Sequence, residues 1–213
     1  MGSSMANPRA APRLYLVTPP LGDAGAIADA LAQALNAADI AAVLVRLRDG
    51  DEEALIARIQ ALRILIQSNG AALLLEGHAR LVARAEADGA HLTGTDALLA
   101  AVPSLKPTLI AGCGGLATRH DAMVAGESGA DYVMFGEPGA DGSRPGFDAV
   151  IERVAWWSEV LTIPCVAYAE DLDQAEALAH AGADFVAVGH AVWSDANQIA
   201  TAAKRLTVME PVR

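Results

Sequence analysis

The chain has 213 residues, of which 53% are hydrophobic and 19% charged, a balance typical of a globular protein rather than a disordered one. The formal net charge of −11 argues against nucleic acid as a partner, because phosphate backbones are bound by basic surfaces. No apolar run approaches the length of a bilayer span, so we predict no membrane partner.

Residues 1–13 are predicted to form a leader outside the folded domain, and residues 14–213 to form a single domain. Pro8 and Pro12 lie in the leader, which lacks the apolar core of a signal peptide. Cys113 and Cys165 have no metal-binding or redox spacing, so we predict reduced thiols in a cytoplasmic protein.

Eight apolar segments are predicted to be strands, at residues 14–18, 42–47, 71–76, 90–92, 108–112, 131–136, 164–168 and 185–189. The stretches between them are rich in Ala and Leu and predict helices, for example at 51–67, 80–87 and 173–181. Most strand segments are apolar throughout, which is typical of parallel strands covered on both faces. The strict alternation predicts the α/β class, as a single (β/α)8 TIM barrel with eight parallel strands. An open, doubly wound sheet is the competing fold.

A sequence motif of Gly-Ala followed by Asp or His recurs at the start of three of these strands, beginning at Gly89, Gly129 and Gly182. We predict that each glycine ends a helix at a position that needs a positive φ. The β-branched and aromatic residues that follow favour a strand. In such a barrel the functional site is expected at the carboxyl ends of the strands.

The amino-acid sequences of several predicted strands resemble those of the thiamine-phosphate synthase and TenI family. The similar segments are residues 14–18, 45–48, 89–92, 129–136 and 182–191, in the family's order. The resemblance extends from Leu14 to about Leu206 and implies a barrel that binds a small phosphorylated heterocycle. In that family a synthase joins a pyrimidine pyrophosphate to a thiazole phosphate and releases pyrophosphate, whereas the TenI branch tautomerises a thiazole phosphate.

The resemblance implies Mg²⁺ held by carboxylates, and here the matching residues are incomplete. Asp96 matches the second metal-binding carboxylate and is a candidate catalytic residue, although Asp is also favoured in the first turn of a helix. The first carboxylate is missing, because Gly77 stands in its place and Glu76 lies one residue too early. A cofactor role for Mg²⁺ therefore depends on Asp96 with Glu76.

The arginine of the family's second-strand signature is matched by Arg48, a candidate catalytic residue, while Arg46 replaces a glutamine and Gly50 replaces a pyrophosphate-binding lysine. Arg46 supplies either a substitute cation for the phosphate or one half of an ion pair at the barrel rim. The family's serine and histidine after the fifth strand correspond to Gly115 and Ala117.

The predicted phosphate-binding residues are Arg144 and Ser143, after the sixth strand, and Gly189 and His190, after the eighth. Arg144 takes the place of a family lysine and has the bidentate geometry that phosphate recognition uses. A polar loop without a ligand is the structural alternative for residues 137–146. His190 donates to phosphate or covers the barrel mouth.

Three functional hypotheses follow. The first is a thiamine-phosphate synthase, and the second is a degenerate homologue that binds a phosphorylated ligand without turnover. The third is an isomerase on the same scaffold that uses His190 or His120 with Glu170. Trp156, Trp157 and Trp193 belong either to a homodimer face or to the packed helix layer.

Overall fold

The computed structural model describes residues 10–139 and 141–207, so the predicted leader lies mostly outside the described residues. Eight parallel strands form the sheet: β1 (Arg13–Val17), β2 (Ile40–Val45), β3 (Ala72–Glu76), β4 (Gly89–Thr93), β5 (Ile110–Gly114), β6 (Tyr132–Phe135), β7 (Cys165–Ala169) and β8 (Phe185–Val188). They pair in chain order, and β8 pairs with β1 in parallel, with Leu14 opposite Val186 and Leu16 opposite Val188. The sheet is closed, which confirms the barrel and rules out the open sheet.

The helices surround this barrel: α1 (Gly25–Ala37), α2 (Glu52–Ser68), α3 (Val82–Ala85), α4 (Thr95–Leu105), α5 (Arg119–Glu127), α6 (Phe147–Val160), α7 (Leu172–His180), α8 (His190–Trp193) and α9 (Ala196–Thr207). The long helix predicted at 80–87 is instead a 3-10 turn, Ala79–Leu81, followed by the short α3. It ends where Glu86 adopts a left-handed conformation with φ of 54°. No helix in the described part of the chain is long and apolar enough to span a membrane.

The recurring motif has a structural role beyond that of its glycines. In each copy an aspartate beside the strand accepts a hydrogen bond from an amide in the first two residues of the preceding strand: Asp88 from Leu73 at 2.7 Å, Asp131 from Ala111 at 2.7 Å and Asp184 from Cys165 at 2.8 Å. These bonds tie β4, β6 and β8 to β3, β5 and β7 at the amino ends of the strands. Charge-assisted bonds of this kind fix the register there.

The glycines of the motif differ in why glycine is needed at their positions. Gly129 and Gly182 have φ of 98° and 100°, as predicted for helix ends. Gly89 does not, because it already belongs to β4, and a Cβ there would lie 2.2 Å from the carbonyl oxygen of Ile110. Its small size is needed for close packing against β5 rather than for its backbone freedom.

An apolar layer fills the space between strands and helices. Trp157 and Trp193 are fully buried in it, and their ring nitrogens donate to the carbonyls of Ile163 at 2.7 Å and Val17 at 2.9 Å. Of the three tryptophans, these two therefore belong to the helix layer, while Trp156 is partly exposed. A homodimer remains a prediction.

Both cysteines are buried and neither forms a disulfide, in agreement with the predicted reduced thiols. Burial raises the pKa of the Cys113 thiol to about 12, so little thiolate is present at neutral pH. Neither residue has the electropositive, accessible surroundings of a reactive cysteine.

Candidate functional site

The mouth of the barrel is where the inward-facing side chains of several strands end. A small cavity of about 30 Å³ lies there, which is room for about one water molecule. Polar side chains from five strands or their loops line it: Arg46, Glu76, His91, Glu137 and Tyr168. This cavity joins the barrel interior to the loops that the sequence predicted to carry function.

An ion pair joins the carboxyl ends of the neighbouring strands β2 and β3 at this cavity. Arg46 follows β2, whose inward residues are Ala42 and Leu44, and its Nε donates to Glu76 at 2.9 Å. Of the two roles predicted for Arg46, the ion pair is the one that the structure shows. Glu76 is thereby engaged by an arginine rather than directed toward a metal.

A second arginine of the mouth is also paired. Arg144 donates from Nε to the Gly136 carbonyl at 2.7 Å and from Nη2 to the Tyr168 carbonyl at 3.2 Å, and its Nη1 lies 2.5 Å from Glu170. Its guanidinium also covers the Tyr168 ring at 4.8 Å. The bond from Arg144 lowers the pKa of Glu170. Arg144 therefore ties the loop after β6 to the end of β7.

A chain of buried polar groups runs below the mouth, inside the barrel. The hydroxyls of Tyr15 and Tyr132 lie 2.9 Å apart, and the Tyr132 hydroxyl lies 3.0 Å from Nδ1 of His91. Burial lowers the pKa of His91 to about 4, with the nearby Arg46 as a second cause, so its ring is neutral at pH 7. Burial likewise raises the pKa values of both tyrosines.

Glu137 lies beside this chain on the side of the mouth, where it lines the same cavity as His91. It follows β6, is partly buried, and accepts a short hydrogen bond from the Gly115 amide. Loss of water around its carboxyl raises the pKa of Glu137, and the bond from Gly115 only partly opposes this.

Two glycines of β5 make room for the groups inside the barrel. A Cβ on Gly112 would lie 2.0 Å from the ring of Tyr132. A Cβ on Gly114 would lie 2.3 Å from Oε1 of Glu137 and 2.7 Å from Nε2 of His91. Because β5 has glycine at these two inward positions, side chains from the neighbouring strands and loops fill the space.

The predicted catalytic residues lie on the outer rim. Arg48 is exposed, and its Nε donates to the Pro20 carbonyl at 3.2 Å. Asp96 is exposed in the first turn of α4, the position that its structural alternative predicted. Neither of them lines the cavity that holds Arg46 and His91.

The predicted phosphate-binding residues do not form one group. Ser143 is exposed and donates to Asp141 at 2.6 Å within its own loop. A Cβ on Gly189 would lie 2.4 Å from the Tyr168 hydroxyl, so this glycine gives space to Tyr168. The exposed His190 packs edge-on against Trp193, with ring centroids 4.7 Å apart. His120 is exposed on α5, and Glu170, its proposed partner in the isomerase hypothesis, is paired with Arg144.

The residues at the mouth do not fit a metal ion held by the protein. Among residues 10–139 and 141–207, no three His, Cys, Asp or Glu side chains converge on one point. Glu76 is engaged by Arg46, and a single exposed carboxylate such as Asp96 makes a poor Mg²⁺ site. We therefore assign no step to a metal.

A larger open groove of about 600 Å³ lies between α2, the 3-10 turn and α4. Gly50 and Gly77, which replace the family's lysine and first metal carboxylate, both line it. The rest of its lining consists of leucine and alanine side chains together with Glu52, His78, Arg80 and Ser104. Arg46 and the buried His91 lie instead at the smaller cavity inside the mouth.

Sequence reasoning missed the polar interior. From the sequence, His91 is recognised only within the motif that begins at Gly89, and Glu137 only within the polar loop 137–146. The available signal was the spacing of Gly112 and Gly114: two glycines on one face of a strand require large side chains from the neighbouring strands to fill the barrel.

Comparison with known proteins places this site in context. Residues 14–192 match the family model described as thiamine monophosphate synthase. A thiamine-phosphate synthase of Rhodospirillum centenum is 41% identical over 190 residues, covering 85% of this chain and 89% of that protein. One of Hyphomonas neptunium is 36% identical over 96% of each chain. The solved thiamine phosphate pyrophosphorylase from Pyrococcus furiosus has the same fold, with a TM-score of 0.70, 22% identity and coverage of 93% of this chain and 95% of that one.

Proposed function

The chain belongs to the thiamine monophosphate synthase family, and from this premise we propose that it joins a pyrimidine pyrophosphate to a thiazole phosphate and releases pyrophosphate. The observation that carries the proposal is 41% identity to a relative named as this synthase, over most of both chains. The closed barrel, with its polar groups gathered at the carboxyl ends of the strands, supports it.

Arginines at the mouth would receive the phosphate groups. Arg46 and Arg144 each face one carboxylate, Glu76 and Glu170, at 2.9 and 2.5 Å. A pyrophosphate carries more charge than a carboxylate and accepts two parallel bonds from a guanidinium. We infer that the substrate displaces these carboxylates, while Arg48 remains a rim cation and Ser143, Gly189 and His190 line its approach.

The first test is a coupling assay with purified protein, both substrates and Mg²⁺, in which we expect thiamine phosphate above the uncatalysed background. Arg46→Gln should lower kcat/KM by about 100-fold, because it removes a charged donor from the mouth. Arg13→Gln is the matched control. Arg13 forms a two-bond pair with Asp39 at the opposite end of the barrel, so its loss should leave kcat/KM unchanged.

Absence of product at high protein concentration would contradict the proposal. Calorimetry with inorganic pyrophosphate then decides what remains: binding without turnover would identify a ligand-binding homologue, and no heat of binding would remove the phosphate site as well. Equal losses in Arg46→Gln and Arg13→Gln would mean that the assay reports stability rather than anion binding.

A further inference from the structure

Glu137 and His91 form the floor of the mouth cavity, and neither has a role in holding phosphate. Both line the cavity, and Oε1 of Glu137 and Nε2 of His91 both lie within 3 Å of the place that a Cβ on Gly114 would occupy. The Gly115 amide fixes the carboxyl from one side. The pair is thus held in place by β5, where only glycine leaves enough space.

The hydroxyl chain behind His91 has a preferred direction. Within the described residues, Tyr15 has Tyr132 as its hydrogen-bond partner, and Tyr132 in turn reaches His91 Nδ1. If Tyr15 donates to Tyr132 and Tyr132 donates to Nδ1, no buried proton lacks an acceptor. The opposite direction would leave the Tyr15 proton unpaired, which is costly. His91 then carries its proton on Nε2, the nitrogen that lies 2.7 Å from the position that a Cβ on Gly114 would occupy.

A negative group fixed at the cavity floor suits a reaction that builds positive charge. In the coupling, the bond between the exocyclic carbon of the pyrimidine and the bridging oxygen of pyrophosphate breaks, and its electron pair leaves with that oxygen. The carbon becomes cationic, with charge spread into the ring. The lone pair of the thiazole nitrogen then forms the carbon–nitrogen bond, the positive charge passes to the thiazolium ring, and no proton is transferred.

We propose that Glu137 is a catalytic residue of this reaction, and that its carboxylate contacts the pyrimidine ring and stabilises the positive charge that develops as pyrophosphate leaves. The inference rests on the proposed function. For the ring to reach Glu137, the Arg46–Glu76 pair has to open when pyrophosphate binds, because the cavity beside Glu137 holds only about one water molecule while that pair is closed. His91 lines the same cavity and stays uncharged, so it adds no competing cation beside the carboxylate.

Other charged and titratable groups surround Glu137 and set the pH at which it acts. Arg144 and Arg153 lower its pKa, while loss of water raises it more. The groups that face it are, from the strands, Cys113, Tyr132, Tyr15 and His91, and at the mouth Arg46, Glu76 and Tyr168. The net direction is upward, so the acid limb of the rate should lie above the ordinary range of a glutamate.

The test replaces Glu137 by Gln, which keeps an oxygen to accept the Gly115 amide but removes the charge. We expect kcat to fall by about 100-fold with KM changed far less, because the charge acts in the transition state. Glu137→Gln should also lose the acid limb of the pH profile. Glu152→Gln is the control, because Glu152 on α6 forms an exposed ion pair with Arg119 on α5.

Each outcome has a distinct meaning when pyrophosphate release from the pyrimidine substrate alone is measured beside coupling. Coupling that is as fast in Glu137→Gln as in the parent overturns this inference and leaves the proposed function standing. No coupling, but pyrophosphate release that depends on Glu137, overturns the proposed function and supports this inference. Neither reaction in the parent overturns both.

Discussion

The two faces of the barrel strands differ sharply in what they contain. The outward face packs against the helices with apolar side chains alone, such as Val43, Leu73 and Val186, all fully buried. The inward face, built by the same strands, includes His91 and the hydroxyls of Tyr15 and Tyr132. On the outward face, many combinations of apolar side chains can pack well enough to form the fold. On the inward face, every buried polar group also needs a hydrogen-bond partner.

This difference separates fold from function within each strand. Changes on the outward face should alter stability through lost contacts and cavities, with little dependence on pH. Changes on the inward face should alter stability through unpaired polar groups, and should depend on pH where His91 is involved. The two behaviours can be measured separately.

The largest effect is expected on the outward side. Trp157→Ala should lower the free energy of unfolding by about 3–5 kcal/mol, because it empties a fully buried site and removes the bond to Ile163. Denaturant unfolding measures the change. Trp156→Ala is the control: this neighbouring ring is partly exposed, so its loss should cost less than half as much. Equal losses of unfolding free energy in the two variants would contradict the assignment of Trp157, rather than Trp156, to the fully buried layer.

The next effect concerns the charge state of the barrel interior. The folded pKa of His91, about 4, lies below the value of 6.5 expected when it is exposed. The unfolded chain therefore binds more protons between these values, and His91 should make the protein less stable by about 3 kcal/mol as the pH falls from 6.5 to 4. Glu137 has a raised pKa and contributes a slope of opposite sign, so variant and parent must be compared.

Unfolding measured across this pH range should show a flatter slope for His91→Gln than for the parent. The exposed His120 provides the control, and His120→Gln should retain the slope of the parent. A His91→Gln protein with the parental slope would show that His91 takes up its proton in the folded state as easily as in the unfolded one.

A smaller effect distinguishes the middle of the polar chain from its end. Tyr132→Phe should cost about 1–3 kcal/mol, because it leaves both the Tyr15 hydroxyl and His91 Nδ1 without the partner they now share. Tyr15→Phe removes only the end of the chain and should cost less. Thermal or denaturant unfolding of both variants provides the measurement, and a reversed order would contradict the hydrogen-bond path.

The fold could be predicted because the outward-facing residues dominate the local pattern. The observed strand ends lie within about two residues of those predicted for most strands, since apolar runs mark strands that are covered on both sides. The polar interior could not be predicted in the same way. Glu137 reaches the floor of the mouth from the loop after β6, across a strand that contributes only Gly114 there.

The positions of the candidate site residues around the barrel mouth were also harder to predict than the barrel itself. Arg46 follows the inward alternation of β2 and lies at the mouth, whereas Arg48, two residues later, lies over Pro20 on the rim because the chain has left the strand. Likewise, the space beside Gly189 is taken by the hydroxyl of Tyr168, which lies in β7. Such partners are distant in sequence, so spacing alone does not indicate them.

The pairing of Arg46 with Glu76 and of Arg144 with Glu170 has a consequence for the medium in which the protein works. Added electrolyte weakens the attraction of an arginine for an incoming anion, but it equally weakens the internal pair that must first open. The two influences on the binding constant have opposite signs. Ionic strength should therefore change anion affinity at this mouth much less than at one whose arginines stand alone.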